Sequence, residues 1–182
     1  MKPDKKTDEA NIIREPTKAA VLVPVYRRDD GEVVVILVRR SEGDTHGGQI
    51  AFPGGKISKS DKTLLDTALR EAHEEIGLPP ENVQNIRRLS NVYTNSSNFE
   101  ITPFLGKIKR PTSWKLSRNE ISEVIETPVK ILTDPALHGR ETMSFSNWDK
   151  PQDVPFIRVG QYKLWGASYR ILEPILESLL SL

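Results

Sequence analysis

Three glutamates, Glu71, Glu74 and Glu75, follow the glycine pair Gly54 and Gly55 in the stretch FPGGKISKSDKTLLDTALREAHEEIGL, residues 52–78. Like charges three and four positions apart on a helix destabilise it by about 0.2–0.5 kcal/mol per pair. A hard divalent cation such as Mg²⁺ would turn this repulsion into coordination by oxygen ligands. Glycines let a backbone approach a ligand closely and can present a carbonyl to the same cation, so Gly55 is a fourth candidate metal ligand.

A second interpretation of these residues is a solvated acidic face, balanced by Arg70 and Lys56. Acidic faces are common on helices, and the EAHEE pattern alone favours this interpretation. The glycine pair just before the helix favours the metal site.

The glutamates are predicted to lie on one helix of residues 62–77, capped by Ser60 or Asp61 and ended by Gly77. With Leu64 at 0° and about 100° per residue, Glu74, Glu71 and Glu75 fall at about 280°, 340° and 20°. The apolar face spans about 0° to 140°, and its residues are Leu64, Ala68, Ala72, Leu65, Ile76 and Leu69. The carboxylates therefore share one arc at the border of the core. His73, on the far side, is predicted to be solvated.

The composition describes an ordinary globular chain: 182 residues, 37% hydrophobic and 28% charged. This length predicts a single domain over residues 18–182, after a polar arm at 1–17. A net charge of +1 gives no bulk attraction to nucleic acid or an anionic membrane. The absence of cysteine excludes disulfides, thiolate metal sites and a cysteine nucleophile. With no signal-peptide or membrane-spanning pattern, we expect a cytoplasmic protein. The oligomeric state is left open, a homodimer included.

Two nearly continuous apolar runs, 19–26 and 33–40, predict a hairpin turning at Asp30-Gly31, with strands covered on both faces. The other predicted elements are strands at 50–52, 86–93, 99–109 and 154–164, a helical or mixed segment at 119–132, a connection at 134–139, and a C-terminal helix from Gly166 interrupted at Pro174. These elements interleave without the regular alternation of a Rossmann fold. We therefore expect an α/β (α+β) fold, a mixed β-sheet sandwiched between helices.

The glutamate helix resembles the Nudix box: Gly, five residues, an acid, seven residues, Arg-Glu, an apolar residue, any residue, Glu-Glu, any residue and Gly. Those places are filled here by Gly55, Asp61, Arg70, Glu71, Ala72, Glu74, Glu75 and Gly77. Two departures are an Asp in place of the usual Glu, at Asp61, and eight residues rather than seven before Arg70. Both departures are found in the coenzyme A pyrophosphatase-like branch of the superfamily.

Further segments, spread over about residues 18–175, resemble the same branch: ILVRRS, GGQIAFPGGK, FEITPFLG, NEISEVIETPVKILTDP and LWGASYRIL. The resemblance implies a Nudix-type α/β/α sandwich and Mg²⁺- or Mn²⁺-dependent hydrolysis of a nucleoside diphosphate linked to another group. The substrate it implies is coenzyme A or a thioester of it, giving 3′,5′-ADP and 4′-phosphopantetheine.

The resemblance also implies roles for single residues. Arg70 would orient the glutamates through ion pairs, and Glu120 would be the general base, with Glu123 one helical turn later. An exposed acid without a role is an equal interpretation of Glu120. His46, beside the GGQ loop, is a weaker candidate for ligand contact, and His138 is expected in a loop.

One departure concerns the substrate. The branch usually carries an Arg a few residues before its Gly-Gln, where this chain has Asp44 in a shorter loop. Candidate substrate-binding residues in this neighbourhood are Arg39, Arg40, Gln49 and Lys56, although Arg39 and Arg40 alternate along a strand and face opposite sides. The alternatives left open are ADP-ribose, NADH or a nucleotide sugar as substrate, and a non-catalytic nucleotide-binding module. Tyr93, Phe99 and Trp114 could stack on a base or simply pack.

Overall fold

The computed structural model describes residues 15–43, 47–94, 97–144 and 148–182. Most of the predicted arm, together with Asp44 and His46, lies outside the described residues. The strands are β1 Thr17–Arg27, β2 Val33–Arg40, β3 Ile50–Ala51, β4 Gly54–Lys56, β5 Val83–Arg88, β6 Val92–Thr94, β7 Phe99–Ile108, β8 Ile121–Pro128, β9 His138–Met143, β10 Gln152–Val159 and β11 Tyr162–Trp165. The helices are α1 Leu64–Ile76, α2 Val129–Leu132, α3 Gly166–Leu172 and α4 Leu176–Leu179.

The larger sheet is mixed, as predicted. Its strand order is β3-β2-β1-β7-β5, with β4 paired to β1, β6 to β7 and β8 to β2. The strands β1 and β7 run parallel, from the pair Thr17 and Phe99 to the pair Val25 and Lys107. The other pairings are antiparallel. Strands β9, β10 and β11 form a second, antiparallel sheet that was not predicted.

Both faces of the central hairpin are covered, as its continuous apolar runs predicted. Leu22, Val34 and Ile36 pack on one side with Ala68, Ala72 and Ile76 of α1. Alternate residues of the same strands pack on the other side with α2, α3, α4 and the second sheet. The α+β sandwich with a mixed sheet between helices is therefore confirmed.

The helix α1 begins two residues later than predicted. Its N-cap is Thr63, whose hydroxyl accepts a hydrogen bond from the Asp66 N–H, while the Asp66 carboxylate accepts one from the Thr63 N–H. This reciprocal capping box, rather than Ser60 or Asp61, satisfies the first turn. At the other end Gly77 adopts φ 69° and donates to the carbonyls of Ala72 and His73, as the predicted glycine stop requires.

Residues 119–132 are mainly the strand β8 rather than a helix, because pairing along β2 outweighs the local pattern. The predicted connection 134–139 is also wrong at its end. His138 starts β9 and its Nε2 lies 2.7 Å from the carbonyl oxygen of Leu132.

Two single strands were predicted where the chain forms pairs of strands. Residues 86–93 divide into β5 and β6 beside Pro103, which has no N–H to continue the ladder. Residues 154–164 divide into β10 and β11 at Gly160, which has φ 58°. The C-terminal helix is interrupted as predicted, by a 3₁₀ turn at Glu173–Ile175 that contains Pro174. Within the described part of the chain, no helix is long and apolar enough to cross a membrane.

Candidate functional site

The guanidinium of Arg70 joins the acidic residues to one another. Its Nε and Nη2 donate to the two carboxylate oxygens of Asp61 at 2.8 and 2.9 Å. Its Nη1 lies 2.9 Å from both Glu71 Oε1 and Glu74 Oε2. A further bond of 3.2 Å from Nη2 reaches the carbonyl of Lys56 on β4. One arginine therefore sets two of the three glutamates in a fixed relation to β4.

The Asp61 carboxylate is held from several sides, and its side chain is only 4% exposed. It accepts a bond of 2.9 Å from the buried Thr67 hydroxyl and one of 2.8 Å from the Ser58 N–H. The hydrogen bonds from Arg70 hold the pKa of Asp61 well below its ordinary value. The sequence did not single out Thr67, although at about 300° on the helical wheel it falls between Glu74 and Glu71.

The glycine pair allows β4 to lie against both β1 and α1. A Cβ on Gly55 would lie 2.5 Å from Glu71 Oε1, and a Cβ on Gly54 would lie 2.4 Å from the carbonyl oxygen of Ala20. The Gly54 N–H donates to Glu75 Oε2 at 3.1 Å. The glycine pair therefore belongs to a short strand that brings bare backbone up to two of the glutamates.

Glu75 is a carboxylate placed in the core, with an exposed fraction of 3%. Burial raises its pKa to about 8, against the opposing effects of the Gly54 N–H and the positive charge of Arg40. Burial also raises the pKa of Glu71, against the hydrogen bond from Arg70. Burial thus disfavours the ionised form of both carboxylates, and a further positive charge next to them would favour it.

Glu120 is exposed but is anchored beside the end of α1. The Ser117 N–H donates to the carbonyl of Glu75 at 2.9 Å, and the Glu120 N–H donates to the carbonyl of Ser117 at 2.9 Å. The negative charge of Glu120 contributes to the raised pKa of both Glu71 and Glu75. The structure therefore places Glu120 near the carboxylates of Glu71 and Glu75.

Glu123 does not follow Glu120 by a helical turn, because the segment is a strand. It pairs with Arg39 on β2, and its Oε2 accepts a bond of 2.8 Å from the Tyr162 hydroxyl. Glu123 therefore belongs to the face of the sheet that packs on β11.

The partners of the two neighbouring arginines of β2 are separated by a β-bulge on β8. Arg39 pairs with Glu123 and Arg40 with Ile121, so Ser122 is the extra residue. The guanidinium of Arg39 lies over the Tyr162 ring, 5.4 Å from its centroid, and also pairs with Glu42. The positive charge of Arg40 instead acts on Glu75, where it partly opposes the rise in pKa caused by burial. Of the two, Arg40 is the one that lies with the carboxylates.

The other predicted binding residues flank the site. The carbonyl of Gln49 accepts the Arg40 N–H at 3.0 Å, which continues the β2–β3 pairing. Lys56 is exposed, and its Nζ lies 5.4 Å from the centroid of the Phe99 ring.

The three aromatic candidates have different surroundings. Trp114 packs on the core beneath α1, and its Nε1 donates to Glu126 Oε1 at 2.9 Å. Phe99 is partly covered by Lys56. Tyr93 is 53% exposed, with its hydroxyl donating to Glu100 Oε1 at 2.8 Å. Tyr93 therefore offers the most open ring, and His73 on α1 is exposed as predicted.

The donor set suits a hard divalent cation. Glu71, Glu74 and Glu75 supply carboxylate oxygens, and the missing Cβ of Gly55 leaves its backbone next to Glu71 Oε1. Across residues 15–43, 47–94, 97–144 and 148–182, no three acidic or histidine side chains already converge as a closed cage. Mg²⁺ does not need such a cage, because it keeps several waters and commonly binds one or two carboxylates together with substrate phosphates. The residues therefore fit the metal that the sequence predicts.

Comparison with known proteins shows which family the chain resembles. The NUDIX domain family model matches residues 16–156. The chain is 39% identical over 118 residues to an uncharacterized Nudix hydrolase, NudL, of Pectobacterium atrosepticum, covering 64% of this chain and 60% of that protein. A NudL protein of Enterobacter sp. is 39% identical over 112 residues, covering 62% of this chain and 57% of that one. The matched region thus spans less than two thirds of these relatives.

Solved structures share the fold at low sequence identity. A MutT/nudix family protein from Enterococcus faecalis has a TM-score of 0.59 at 18% identity, covering 90% of this chain and 61% of that one. The NUDIX domain of Shewanella oneidensis NrtR, solved with ADP ribose, has a TM-score of 0.53 at 18% identity, covering 69% and 81%. Because the family model covers most of its length, the chain belongs to the Nudix family.

Proposed function

We propose that the protein is a Mg²⁺- or Mn²⁺-dependent diphosphatase that hydrolyses a nucleoside diphosphate linked to another group. The observation that carries this proposal is the bracing of Glu71 and Glu74 by Arg70 and Asp61, beside the bare backbone of Gly55. A solvated acidic face would leave its carboxylates in water. Here Arg70 and Asp61 hold two of them in place, and the third, that of Glu75, is buried at a cost in free energy.

The metal would be held by Glu71, Glu74, Glu75 and the backbone of Gly55. When bound, it would neutralise diphosphate charge and lower the pKa of a bound water. The remaining work falls to the chain. Arg70 keeps the glutamates in place, and Arg40 adds positive charge on the same side of the sheet.

Hydrolysis joins a water oxygen to one phosphorus, while the bond from that phosphorus to the bridging oxygen breaks. The bridging oxygen leaves with the second phosphate, and the water must lose a proton. We propose that Glu120 is the general base that accepts this proton. Its carboxylate is exposed, and its negative charge contributes to the raised pKa of Glu71 and Glu75.

For the substrate, we propose coenzyme A or a thioester of it. Support comes from Asp61 and the extra residue before Arg70, which both resemble the coenzyme A pyrophosphatase-like branch. The alternative is ADP-ribose, NADH or a nucleotide sugar. It is favoured by Asp44, at a place where that branch carries Arg, and by the ADP ribose bound to the Shewanella domain of the same fold.

The test is a substrate panel at fixed Mg²⁺ or Mn²⁺, with an EDTA control and chromatographic identification of products. Coenzyme A, acetyl-coenzyme A, ADP-ribose, NADH and a nucleotide sugar are compared by kcat/KM. We expect the highest kcat/KM for coenzyme A or its thioester, with 3′,5′-ADP as a product and no turnover in EDTA.

Each other outcome removes a defined part of the proposal. Cleavage of ADP-ribose with intact coenzyme A would replace the substrate and leave the reaction type standing. If no compound is cleaved with either metal, the non-catalytic nucleotide-binding module becomes the better description, and equilibrium binding of the same panel then tests it.

A further inference from the structure

A groove of about 480 Å³ lies at the edge of the larger sheet, away from the carboxylate helix. One wall is formed by residues 87–92, where β5 gives way to β6, and the other by residues of the C-terminal helical segment. Its volume is in the range of small-molecule sites. None of the residues that line it belongs to the proposed catalytic site.

The groove combines an apolar floor with arginine side chains. Leu89, Val92, Ile171 and Ile175 also pack in or against the core cluster beneath the sheet, so the floor is part of the folded interior. The positive charges come from Arg87, Arg88 and Arg170, and the lining contains no Asp or Glu.

The arginines of this groove have few competing partners. Arg88 donates to Asn91 Oδ1 at 3.2 Å, and Arg170 donates to the carbonyl of Tyr93 at 2.8 Å. Both acceptors are neutral, but Asn91 also donates to Glu100 Oε1 at 2.7 Å, and the charge of Arg88 contributes to the lowered pKa of Glu100. Arg87 has no ion pair or side-chain hydrogen bond to any residue that the structure describes.

Arg87 pairs with Leu105 and Arg88 with Phe104, and these two partners pack on opposite faces of the sheet. Arg87 therefore lies on the face of Ile171 and Ile175, so the guanidinium charges available to an anion in the groove are those of Arg87 and Arg170.

A second, larger groove of about 770 Å³ shows the contrast. It is lined by Arg110 and other basic residues, but also by Asp29, Asp30 and Glu126. There Arg110 already donates through Nε and Nη2 to the Glu126 carboxylate at 2.7–3.0 Å. The Arg110 guanidinium is therefore already paired with a carboxylate, and the larger groove would bind an anion less well.

We propose that the groove of Arg87 and Arg170 is a second ligand site, for a small organic anion with a phosphate or carboxylate head and an apolar body. Planar guanidinium groups match the oxygens of both head groups. Two positive charges favour a phosphate dianion over a carboxylate, and the apolar floor favours an organic ester over the inorganic ion.

The experiment is calorimetric titration of the full chain in EDTA, so that no metal recruits the ligand to the carboxylates. The probes are phenyl phosphate, benzoate and inorganic phosphate. We expect phenyl phosphate to bind most tightly, and Arg87→Gln and Arg170→Gln each to weaken it by about tenfold. Arg158→Gln, an exposed arginine on β10, is the matched control and should bind like the wild type.

Arg87→Gln is the decisive variant, because it breaks no ion pair or side-chain hydrogen bond within the described structure, whereas Arg170→Gln also removes a bond to the carbonyl of Tyr93. Unchanged phenyl phosphate affinity in Arg87→Gln, or no binding to the wild type, overturns the site. Equal affinity for inorganic phosphate and phenyl phosphate overturns the role of the apolar floor. Tighter binding of benzoate would reverse the preference for a phosphate head.

Discussion

Arg70 and Asp61 form a two-point fork, with Nε and Nη2 donating to the two carboxylate oxygens at 2.8 and 2.9 Å. The same guanidinium then has Nη1 left for Glu71 and Glu74. Asp61 forms no hydrogen bond with either glutamate, so it positions Glu71 and Glu74 through Arg70.

Asp61→Asn should weaken this fork, because an amide carries no charge and can accept on only one side. We expect the free energy of unfolding to fall by about 2 kcal/mol, as for other hydrogen bonds to charged groups. Since the variant leaves the glutamates in place but less well oriented, kcat should fall more than KM rises. Urea unfolding and steady-state kinetics measure the two effects. Glu81→Gln, an exposed acid, is the control; a wild-type kcat in Asp61→Asn would remove the positioning role.

Gly55→Ala tests the close approach of β4 to α1. The new Cβ would lie 2.5 Å from Glu71 Oε1, so the Glu71 side chain must move. We expect a lower kcat and a higher Mg²⁺ concentration for half-maximal activity. The matched control is Gly43→Ala, where a Cβ meets no atom within 4 Å. If both variants behave like the wild type, the contact between Gly55 and Glu71 has no part in activity.

The parts of the site that sequence could predict are those with a local signal. The arc of Glu71, Glu74 and Glu75 followed from helical periodicity, and the placement of Glu75 at the border of the core followed from the same wheel. Gly77 marked the helix end because a left-handed residue is needed there. The opposite facing of Arg39 and Arg40 followed from strand alternation.

The parts that sequence could not predict depend on distant pairing. Residues 121–128 form a strand because β2 is their partner, and no local pattern indicates that pairing. The same pairing contains the bulge at Ser122, between the positions opposite Arg39 and Arg40. The contact of Thr67 with Asp61 depends on how a polar loop folds back onto the first turn of α1.

Glu74→Gln tests the metal assignment directly. Glu74 is the most exposed of the three glutamates, so the substitution buries no new polar group and the fold should be retained. Loss of a carboxylate ligand should lower kcat/KM by about 10²-fold or more and raise the Mg²⁺ requirement. Activity is measured across a Mg²⁺ titration, with circular dichroism as the check on folding. Glu177→Gln, an exposed acid on α4, is the control; wild-type rates in Glu74→Gln would exclude Glu74 as a ligand.

Glu126 should make folding stability depend on acid pH. Burial alone would raise its pKa, but hydrogen bonds from Arg110, Tyr26 and Trp114 outweigh burial and lower the pKa to about 2. Because this pKa is below its ordinary value of 4.5, the ionised carboxylate stabilises the fold above about pH 4.5, and this contribution is lost as the pH falls towards 2. Glu126→Gln should therefore be less stable than the wild type at pH 7 and lose less stability between pH 5 and 2. Urea unfolding at each pH measures this, with the exposed Glu173→Gln as control. An acid slope in Glu126→Gln as steep as that of the control would mean that other carboxylates carry the acid sensitivity.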